Sequence, residues 1–282
     1  MKRIIASAVL TVSILSGCST ETVPANTDYF ETTKTSETEI VDNTNITETE
    51  EIITDTAVVE EITEATEETT VIPTEPSPYG DMNFDEEIPS SYYIDAEVIY
   101  QNPELPTGCE ITSLAMLLNY WGYDIDKVEL SDNYLNKNYD YSCTFYDAFI
   151  GNPTSDSGFG CYSPVIEDAA YSFLRVAESD LDVYNITGLS LDDIFHYIAM
   201  DRPVVIWASM SLVDVYYYHA WTTDSGEEAW WYENEHCMLL TGYDYDCGIV
   251  TVCDPLKGEY NYDMYRFEEI FNQLEQQAVT IF

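Results

Sequence analysis

The sequence predicts an α+β domain in which helices pack on an antiparallel sheet. Apolar side chains recur with helical spacing in four segments, which cover residues 109–121, 123–139, 165–176 and 190–200. The period then changes, and shorter apolar runs predict strands at residues 203–210, 236–243 and 249–254. Helices that come first and strands that follow favour an α+β plan.

The first predicted helix begins at Cys109 and carries one apolar face. Thr107 or Gly108 is placed at its N-cap, and Gly122 is suited to the left-handed position just after its end. In the second helical region we expect three side chains to face inward, namely Val128, Leu130 and Leu135. Residues 140–164 are rich in loop-forming residues, and no internal repeat is visible.

The last two predicted strands form a hairpin, because Tyr245-Asp246-Cys247-Gly248 supplies turn residues between them. With the turn at Asp246-Cys247, Tyr243 opposes Ile249 and, further along, Asp254 opposes Met238. His236 and Asp254 then share one sheet face as diagonal neighbours within reach of each other. Glu235 and the pair Cys237 and Cys253 point to the opposite face.

Residues 1–18 have the pattern of an export signal. Lys2 and Arg3 precede an apolar stretch that is too short to span a bilayer as a stable helix. Leu15-Ser16-Gly17-Cys18 matches the bacterial lipobox, which implies a lipoprotein anchored to the cell membrane by lipid on Cys18 and facing the extracellular side. An ordinary signal peptide with a chance cysteine is the alternative.

Residues 19–91 are predicted to be an acidic, Thr- and Glu-rich disordered spacer. Lys34 is the basic residue of the segment, and so few large apolar side chains cannot offset the entropy of ordering the chain. A short helix or strand over residues 52–62 is a structural alternative. Threonine-rich stretches of this kind also accept O-glycans, which sequence does not settle.

The globular domain is expected at residues 92–282, which is long enough for one sizeable core. The 282-residue chain has 53 acidic and 9 basic residues, a formal net charge of −44. That charge argues against nucleic acid as a partner and against electrostatic attraction to anionic membranes. Solubility of an exported surface is a sufficient explanation for the charge.

Cys109 lies in the first helical turn after Leu105-Pro106-Thr107-Gly108. The positive end of a helix dipole favours thiolate over thiol, so this position suits a nucleophile better than a core thiol. His236 and Asp254 have the chemistry to take the thiol proton and to orient the imidazole. The sequence therefore predicts a Cys109, His236, Asp254 triad.

Several segments resemble the double-glycine-peptidase-like family of papain-like bacterial cysteine peptidases, which are related to the peptidase domains of bacteriocin exporters. The similar segments cover the last two thirds of the chain and are residues 101–110, 113–122, 149–153, 158–164, 236–244 and 252–258. The resemblance implies a papain-like fold and assigns Gln101 as the oxyanion donor, although Asn102 is adjacent. We expect no cofactor and no metal.

The remaining cysteines and histidines have structural explanations. Cys143 and Cys161 flank a Gly/Pro-rich loop and form the candidate disulfide, with buried thiols as the alternative, and a Cys237–Cys253 diagonal disulfide is a second option. His219 is read as a packed or exposed residue near the cleft and His196 as structural. No Cys-x-x-Cys or His-Glu-x-x-His spacing occurs, which argues against zinc.

The sequence thus predicts a membrane-anchored cysteine peptidase that hydrolyses peptide bonds through a thioester acyl-enzyme. Its expected partners are a peptide or protein substrate, including cell-wall peptide, and the membrane through Cys18. Aromatic residues between Val215 and Tyr232, split by a polar insertion, predict a hairpin that presents rings near the histidine. Acyl transfer on cell-wall peptides and a catalytically silent, surface-displayed peptide- or glycan-binding module are the alternatives.

Overall fold

The computed structural model describes residues 77–282. The predicted signal peptide with Cys18, and the predicted spacer up to residue 76, lie outside the described residues. Within 77–282, no helix combines the length and the apolar character that crossing a bilayer would require.

The described chain contains five α-helices, one 3₁₀ turn and eleven strands. The helices are α1 Cys109–Tyr120, α2 Lys127–Tyr134, α3 Ser163–Val176, α4 Leu191–Ala199 and α5 Met264–Gln273, and the 3₁₀ turn is Met210–Leu212. The strands are β1 Ser91–Tyr93, β2 Lys137–Asn138, β3 Phe149–Ile150, β4 Val183–Asn185, β5 Val204–Ser209, β6 Tyr216–Thr222, β7 Glu228–Glu233, β8 Glu235–Asp244, β9 Ile249–Asp254, β10 Gly258–Asp263 and β11 Ala278–Ile281.

A seven-stranded antiparallel sheet forms the centre of the domain. Its strand order is β10-β9-β8-β5-β11-β4, and β1 pairs with β8 beside the end of β5. Helix α1 packs on β8 and also contacts β5 and α3, so it is buried on nearly every side. The predicted α+β class with helices on an antiparallel sheet is confirmed.

Helix α1 begins and ends where the sequence predicts. Gly108 is its N-cap, and Gly122 follows its last turn with φ +90°, a conformation that glycine adopts without strain. Helix α2 is shorter than predicted, because Asp126 caps it and accepts the backbone N–H groups of Val128 and Glu129. Residues 123–126 and 135–139 are therefore not helical.

The β8–β9 register differs from the prediction near the turn and agrees with it near Asp254. Tyr243 pairs with Val250, one residue away from the predicted Ile249. A register shift between Leu240 and Gly242 then restores the predicted alignment, so that Leu239 pairs with Cys253. The side chains of His236 and Asp254 meet because of this bulge, which the sequence pattern did not reveal.

The packed part of the chain begins earlier than residue 92, which corrects the predicted end of the spacer. Arg202 forms a two-pronged ion pair with Asp81, and its guanidinium lies 3.7 Å from the ring centroid of Phe282. The Tyr197 hydroxyl donates to the carbonyl of Tyr79 at 3.1 Å. Aromatic contacts and the ion pair of the exposed Asp81 carboxylate with Arg202 therefore hold residues 79–84 on the domain.

Candidate active site

The loop before α1 fixes Cys109 at the helix start. The Gly108 N–H donates to the Leu105 carbonyl at 3.0 Å, and the Thr107 N–H and hydroxyl donate to the carbonyls of Pro153 and Ser155 at 3.3 and 3.1 Å. These bonds tie the entry of the helix to the loop at residues 151–160. Cys109 itself is 7% exposed.

The Cys109 thiol faces two carboxyl groups. It donates a hydrogen bond to Glu110 Oε2 at 3.3 Å, and Sγ and one oxygen each of Glu110 and Glu235 all lie within 4.8 Å of one another. Burial raises the pKa of the Cys109 thiol well above its usual range, the charges of Glu110 and Glu235 raise it further, and the Cys237 N–H offsets part of the rise. These surroundings therefore favour the neutral thiol over the thiolate.

This effect opposes the expected influence of the helix dipole, which favours the thiolate. A helix N-terminus stabilises a nearby anion by roughly 0.3–1 kcal/mol at a surface position. Removing the group from water and placing it beside two acids costs more than that. Within residues 77–282, the thiol bonds to Glu110 and not to His236.

Glu110 and Glu235 form a buried carboxyl pair. Burial raises the pKa of Glu110 to about 7, although backbone N–H groups and the Cys109 thiol act in the opposite direction. Burial and the charge of Glu110 raise the pKa of Glu235 well above its usual range. Because two adjacent carboxylates repel each other in a low dielectric, the pair holds a proton near neutral pH.

Gly160 leaves the room that the carboxyl pair occupies. A Cβ at this position would lie 2.4 Å from Glu110 Oε1 and 2.7 Å from the Trp231 ring, and only 3.4 Å from Glu235 Oε2. The next residue, Cys161, donates its backbone N–H to Glu110 Oε1 at 2.8 Å. The Gly160-Cys161 segment thus fixes the Glu110 carboxylate and directs its other oxygen toward the thiol.

His236 and Asp254 form a buried hydrogen-bonded pair at the start of β8 and the end of β9. His236 Nε2 lies 2.8 Å from Asp254 Oδ1, and both residues are almost fully buried. A carboxylate acceptor at Nε2 favours the tautomer with hydrogen on Nε2, which leaves Nδ1 as the basic nitrogen. The bond to Asp254 therefore fixes the tautomer and the ring orientation of His236.

Asp254 has partners on both of its oxygens. Oδ1 also accepts the Leu256 N–H at 2.8 Å, and Oδ2 accepts the Tyr262 hydroxyl at 3.2 Å. Lys257 Nζ donates to the same hydroxyl at 2.8 Å. Burial raises the pKa of Asp254, but the His236 hydrogen bond and charge, the Leu256 N–H and the Lys257 charge outweigh it and hold the pKa below its usual range. Asp254 therefore remains ionised.

Gln101 is buried beside the loop that carries Asp254. Its backbone N–H donates to the Pro255 carbonyl at 3.0 Å, and its carbonyl accepts Lys127 Nζ at 3.0 Å. The side-chain Nε2 donates to the Pro106 carbonyl at 2.7 Å, while Oε1 is buried without a partner. The amide thus lies between the acid loop and the helix entry, with its donor engaged by the chain itself.

The aromatic hairpin predicted between Val215 and Tyr232 is present as β6–β7, with rings on both faces. One face packs inward, where Trp231 contacts Phe145 at a centroid distance of 4.5 Å and Tyr162 at 5.7 Å. These rings lie beside Gly160 and the carboxyl pair. The other face carries Tyr217, which stacks on Trp230 at 5.0 Å and on Tyr232 at 4.4 Å.

The other cysteines and histidines take structural positions. Cys143 and Cys161 are separate thiols in the structure, so the candidate disulfide is not formed, and Cys237 and Cys253 are separate buried thiols as well. The other two histidines lie away from Cys109 and Asp254. His219 is exposed on β6 beside Trp230, and His196, on α4, packs against the ring of Phe84.

The acidic pair is the part of the site that the sequence pattern did not identify. Glu110 follows the helix-start cysteine directly, where an acid in a first turn reads as an ordinary helix-dipole partner. For Glu235, the sequence predicts only that its side chain points to the sheet face opposite to that of His236. The available signal was an acidic residue inside each of two strongly apolar segments, where a charge is costly to bury.

A buried helix that begins at a cysteine, packed on antiparallel strands that carry a His–Asp pair, defines a domain of the cysteine-peptidase class. The chain belongs to the Peptidase_C39 like family, which matches residues 93–279. It is 32% identical over 188 residues to the uncharacterized protein YvpB of Bacillus subtilis (strain 168), a match that covers 64% of this chain and 70% of that protein. A solved structure from Bacillus anthracis that carries the name C39-like peptidase superposes with a TM-score of 0.61 at 28% identity, covering 68% of this chain and 97% of that one.

Proposed function

We propose that this protein is a cysteine peptidase that cleaves peptide bonds with Cys109 as nucleophile, His236 as base and acid, Asp254 as the orienting acid and Gln101 as the oxyanion donor. The observation that carries the proposal is the buried 2.8 Å bond between His236 Nε2 and Asp254 Oδ1 in a chain of the Peptidase_C39 like family. A carboxylate with partners on both oxygens is a costly arrangement to bury, and orientation of a catalytic imidazole is a reason for it.

In the proposed reaction, Nδ1 of His236 takes the thiol proton while Sγ of Cys109 attacks the scissile carbonyl carbon. The tetrahedral oxyanion accepts a hydrogen bond from Gln101 Nε2. The amine leaves with the proton from the imidazolium, and a thioester remains on Cys109. Water then attacks the thioester as His236 takes its proton, which releases the acid product and restores the thiol.

The resting arrangement must change before that reaction. The thiol has to leave its hydrogen bond to Glu110, and the Gln101 amide has to leave the Pro106 carbonyl. Catalytic hydrogen bonds often form or tighten only when substrate binds. A peptide carbonyl bound over Cys109 would offer each group a new partner.

We further propose that the chain is held at the outer face of the cell membrane by lipid on Cys18, with the acidic segment as a spacer. The support is the Leu15-Ser16-Gly17-Cys18 motif after a short apolar stretch. A peptidase in that position would meet exported proteins and cell-wall peptides.

The peptidase is tested with residues 19–282 and their Cys109→Ala and His236→Ala variants. Each is incubated with a complex peptide library, and new termini are read by mass spectrometry. Cleavage by the wild type that both variants lose supports the proposal. A wild type that neither cleaves the library nor reacts with a thiol-directed peptide electrophile would sink it.

A second candidate is a surface-displayed peptide- or glycan-binding module without catalysis. The exposed ring of Tyr217, which stacks on the half-buried Trp230 and the buried Tyr232, favours it, because exposed rings bind sugars and extended peptides through their faces. Tyr217→Ala would weaken binding of soluble cell-wall fragments in a silent module. Acyl transfer is a variant of the first proposal, in which an amine replaces water.

A further inference from the structure

The group of side chains at Cys109 has the composition of a small metal site. Cys109 Sγ, a Glu110 oxygen and a Glu235 oxygen lie within 4.8 Å of one another, and all three residues are buried. Glu110 and Glu235 are 125 residues apart in sequence, so no metal-binding motif with short spacing identifies the cluster. A thiol and two carboxylates are ligands that divalent transition metals accept.

One carboxylate oxygen of the cluster has no hydrogen-bond partner. Glu235 Oε1 is buried without a hydrogen-bond partner, and Glu235 as a whole is only 8% exposed. None of the ion pairs in residues 77–282 joins Glu110 or Glu235 to a Lys, Arg or His. A buried acid beside a second acid, without a cation or a donor, is an arrangement that a bound cation would complete.

We propose that Cys109 Sγ, Glu110 Oε2 and Glu235 Oε1 bind one Zn²⁺-class divalent cation. A thiolate ligand selects zinc-like metals over Mg²⁺ and Ca²⁺, which prefer oxygen. Around tetrahedral zinc, sulfur and oxygen ligands are about 3.6 Å apart. The observed separation of Sγ and Glu110 Oε2 is 3.3 Å.

The surroundings orient the ligands without blocking the ion. The Cys161 N–H holds Glu110 Oε1, which leaves Oε2 for the metal, and hydrogen bonds of this kind to ligand carboxylates stabilise metal sites. Side-chain shifts on the order of 1 Å would bring the remaining oxygen to bonding distance. Water fills the fourth position. Binding releases the thiol proton and the proton held by the carboxyl pair to solvent.

The same atoms explain what the metal would do. A cation bound to Sγ would use the lone pair that attacks the substrate, so metal binding would inhibit the enzyme reversibly. This consequence rests on the proposed function, whereas metal binding itself does not. The binding test therefore uses no substrate.

The test is titration of the folded chain with Co²⁺, in excess Mg²⁺ to saturate surface carboxylates, followed by displacement with Zn²⁺. We expect a thiolate-to-cobalt charge-transfer band that Cys109→Ala abolishes. Glu235→Gln should weaken the affinity at least tenfold, because it removes a charged ligand. Glu233→Gln, at an exposed residue that ends β7 two positions before Glu235, is the matched control and should leave the affinity unchanged.

A second measurement holds even where Glu235→Gln alters folding. In a Cys247→Ser background, which removes an exposed thiol, Zn²⁺ should protect Cys109 from iodoacetamide, and a chelator should restore labelling. Cobalt binding without a thiolate band, equal affinity in all variants, or labelling indifferent to Zn²⁺ would each overturn the site. Zinc binding with an inactive wild-type enzyme would support the site while refuting the proposed function.

Discussion

Glu235 and His236 are consecutive residues of β8 whose side chains point to opposite faces of the strand. His236 bonds to Asp254 at 2.8 Å, and Glu235 lies beside Glu110 and the Cys109 thiol. The alternation of a β-strand thus separates a base with an ionised acid from a protonated carboxyl pair. In the proposed enzyme, the Cys109 thiol must give up its hydrogen bond to Glu110 before it can transfer its proton to His236.

Cys109→Ala should abolish peptide cleavage while leaving the thermal midpoint nearly unchanged, because alanine is a good helix former at α1. Cleavage assays and circular dichroism measure the two effects. Cys253→Ala, which removes another buried thiol, is the control and should retain turnover although it loses some stability. Wild-type turnover by Cys109→Ala would exclude it as nucleophile.

Asp254→Ala should lower kcat sharply but less completely than His236→Ala, because the base itself survives. The double variant should lose little more than His236→Ala alone, since residues that act as a unit are not additive. Steady-state kinetics of the three variants measures this. If the losses in kcat of the two single variants multiply in the double variant, Asp254 does not act through His236 and is only a residue at the end of β9.

Glu110→Gln should make Cys109 more reactive toward iodoacetamide at pH 8. The substitution removes the charge that raises the thiol pKa most after burial, and it leaves an amide oxygen to accept the Cys161 N–H. A fall of one unit in the thiol pKa would increase the thiolate fraction about tenfold, which corresponds to about 1.4 kcal/mol. Rates are compared in a Cys247→Ser background with Glu233→Gln as control, and coincident pH profiles would refute the electrostatic effect.

The free energy of unfolding should fall as pH rises from about 4.5 to about 7. The Glu110 pKa is about 7 when folded and has an ordinary value of 4.5. In this window the folded chain holds a proton that the unfolded chain has lost, so each pH unit costs up to roughly 1.4 kcal/mol. Urea unfolding at several pH values should show a flatter profile for Glu110→Gln. A slope identical to that of the wild type would place the retained proton elsewhere.

Removal of residues 19–76 should leave the thermal midpoint of the domain unchanged, because the acidic segment is predicted to contribute no core. Removal of residues 19–90 should lower it, since the Asp81–Arg202 ion pair and the contacts of Tyr79 and Phe84 are lost. Calorimetry of the two truncations distinguishes them. Equal midpoints would mean that residues 77–90 add nothing to stability.

Cys18→Ser should release the chain from membranes into the soluble exported fraction. An unchanged membrane fraction would refute lipidation of Cys18.

The sequence by itself determined the features that depend on local periodicity. Helical spacing after Cys109 placed the helix start and Gly122, and the hairpin pattern placed His236 and Asp254 on one face, since strand alternation fixes direction once pairing is known. It did not reveal the bulge near Thr241. The predicted register was therefore wrong at the turn, although it was correct at Asp254. Nor did it predict β10, α5 and β11, whose short or mixed patterns become strands and a helix only against the existing sheet.

Tertiary structure alone decided the surroundings of the Cys109 thiol. Glu110 and Glu235 look like ordinary acids in sequence, and only the packing of α1 on β8 brings them together around the Cys109 thiol. The protonation of that cluster depends on loss of water and on neighbouring charge, which are properties of the folded surroundings and not of residue order. Order along the chain identified the candidate catalytic residues, whereas burial beside two acids raises the pKa of the Cys109 thiol.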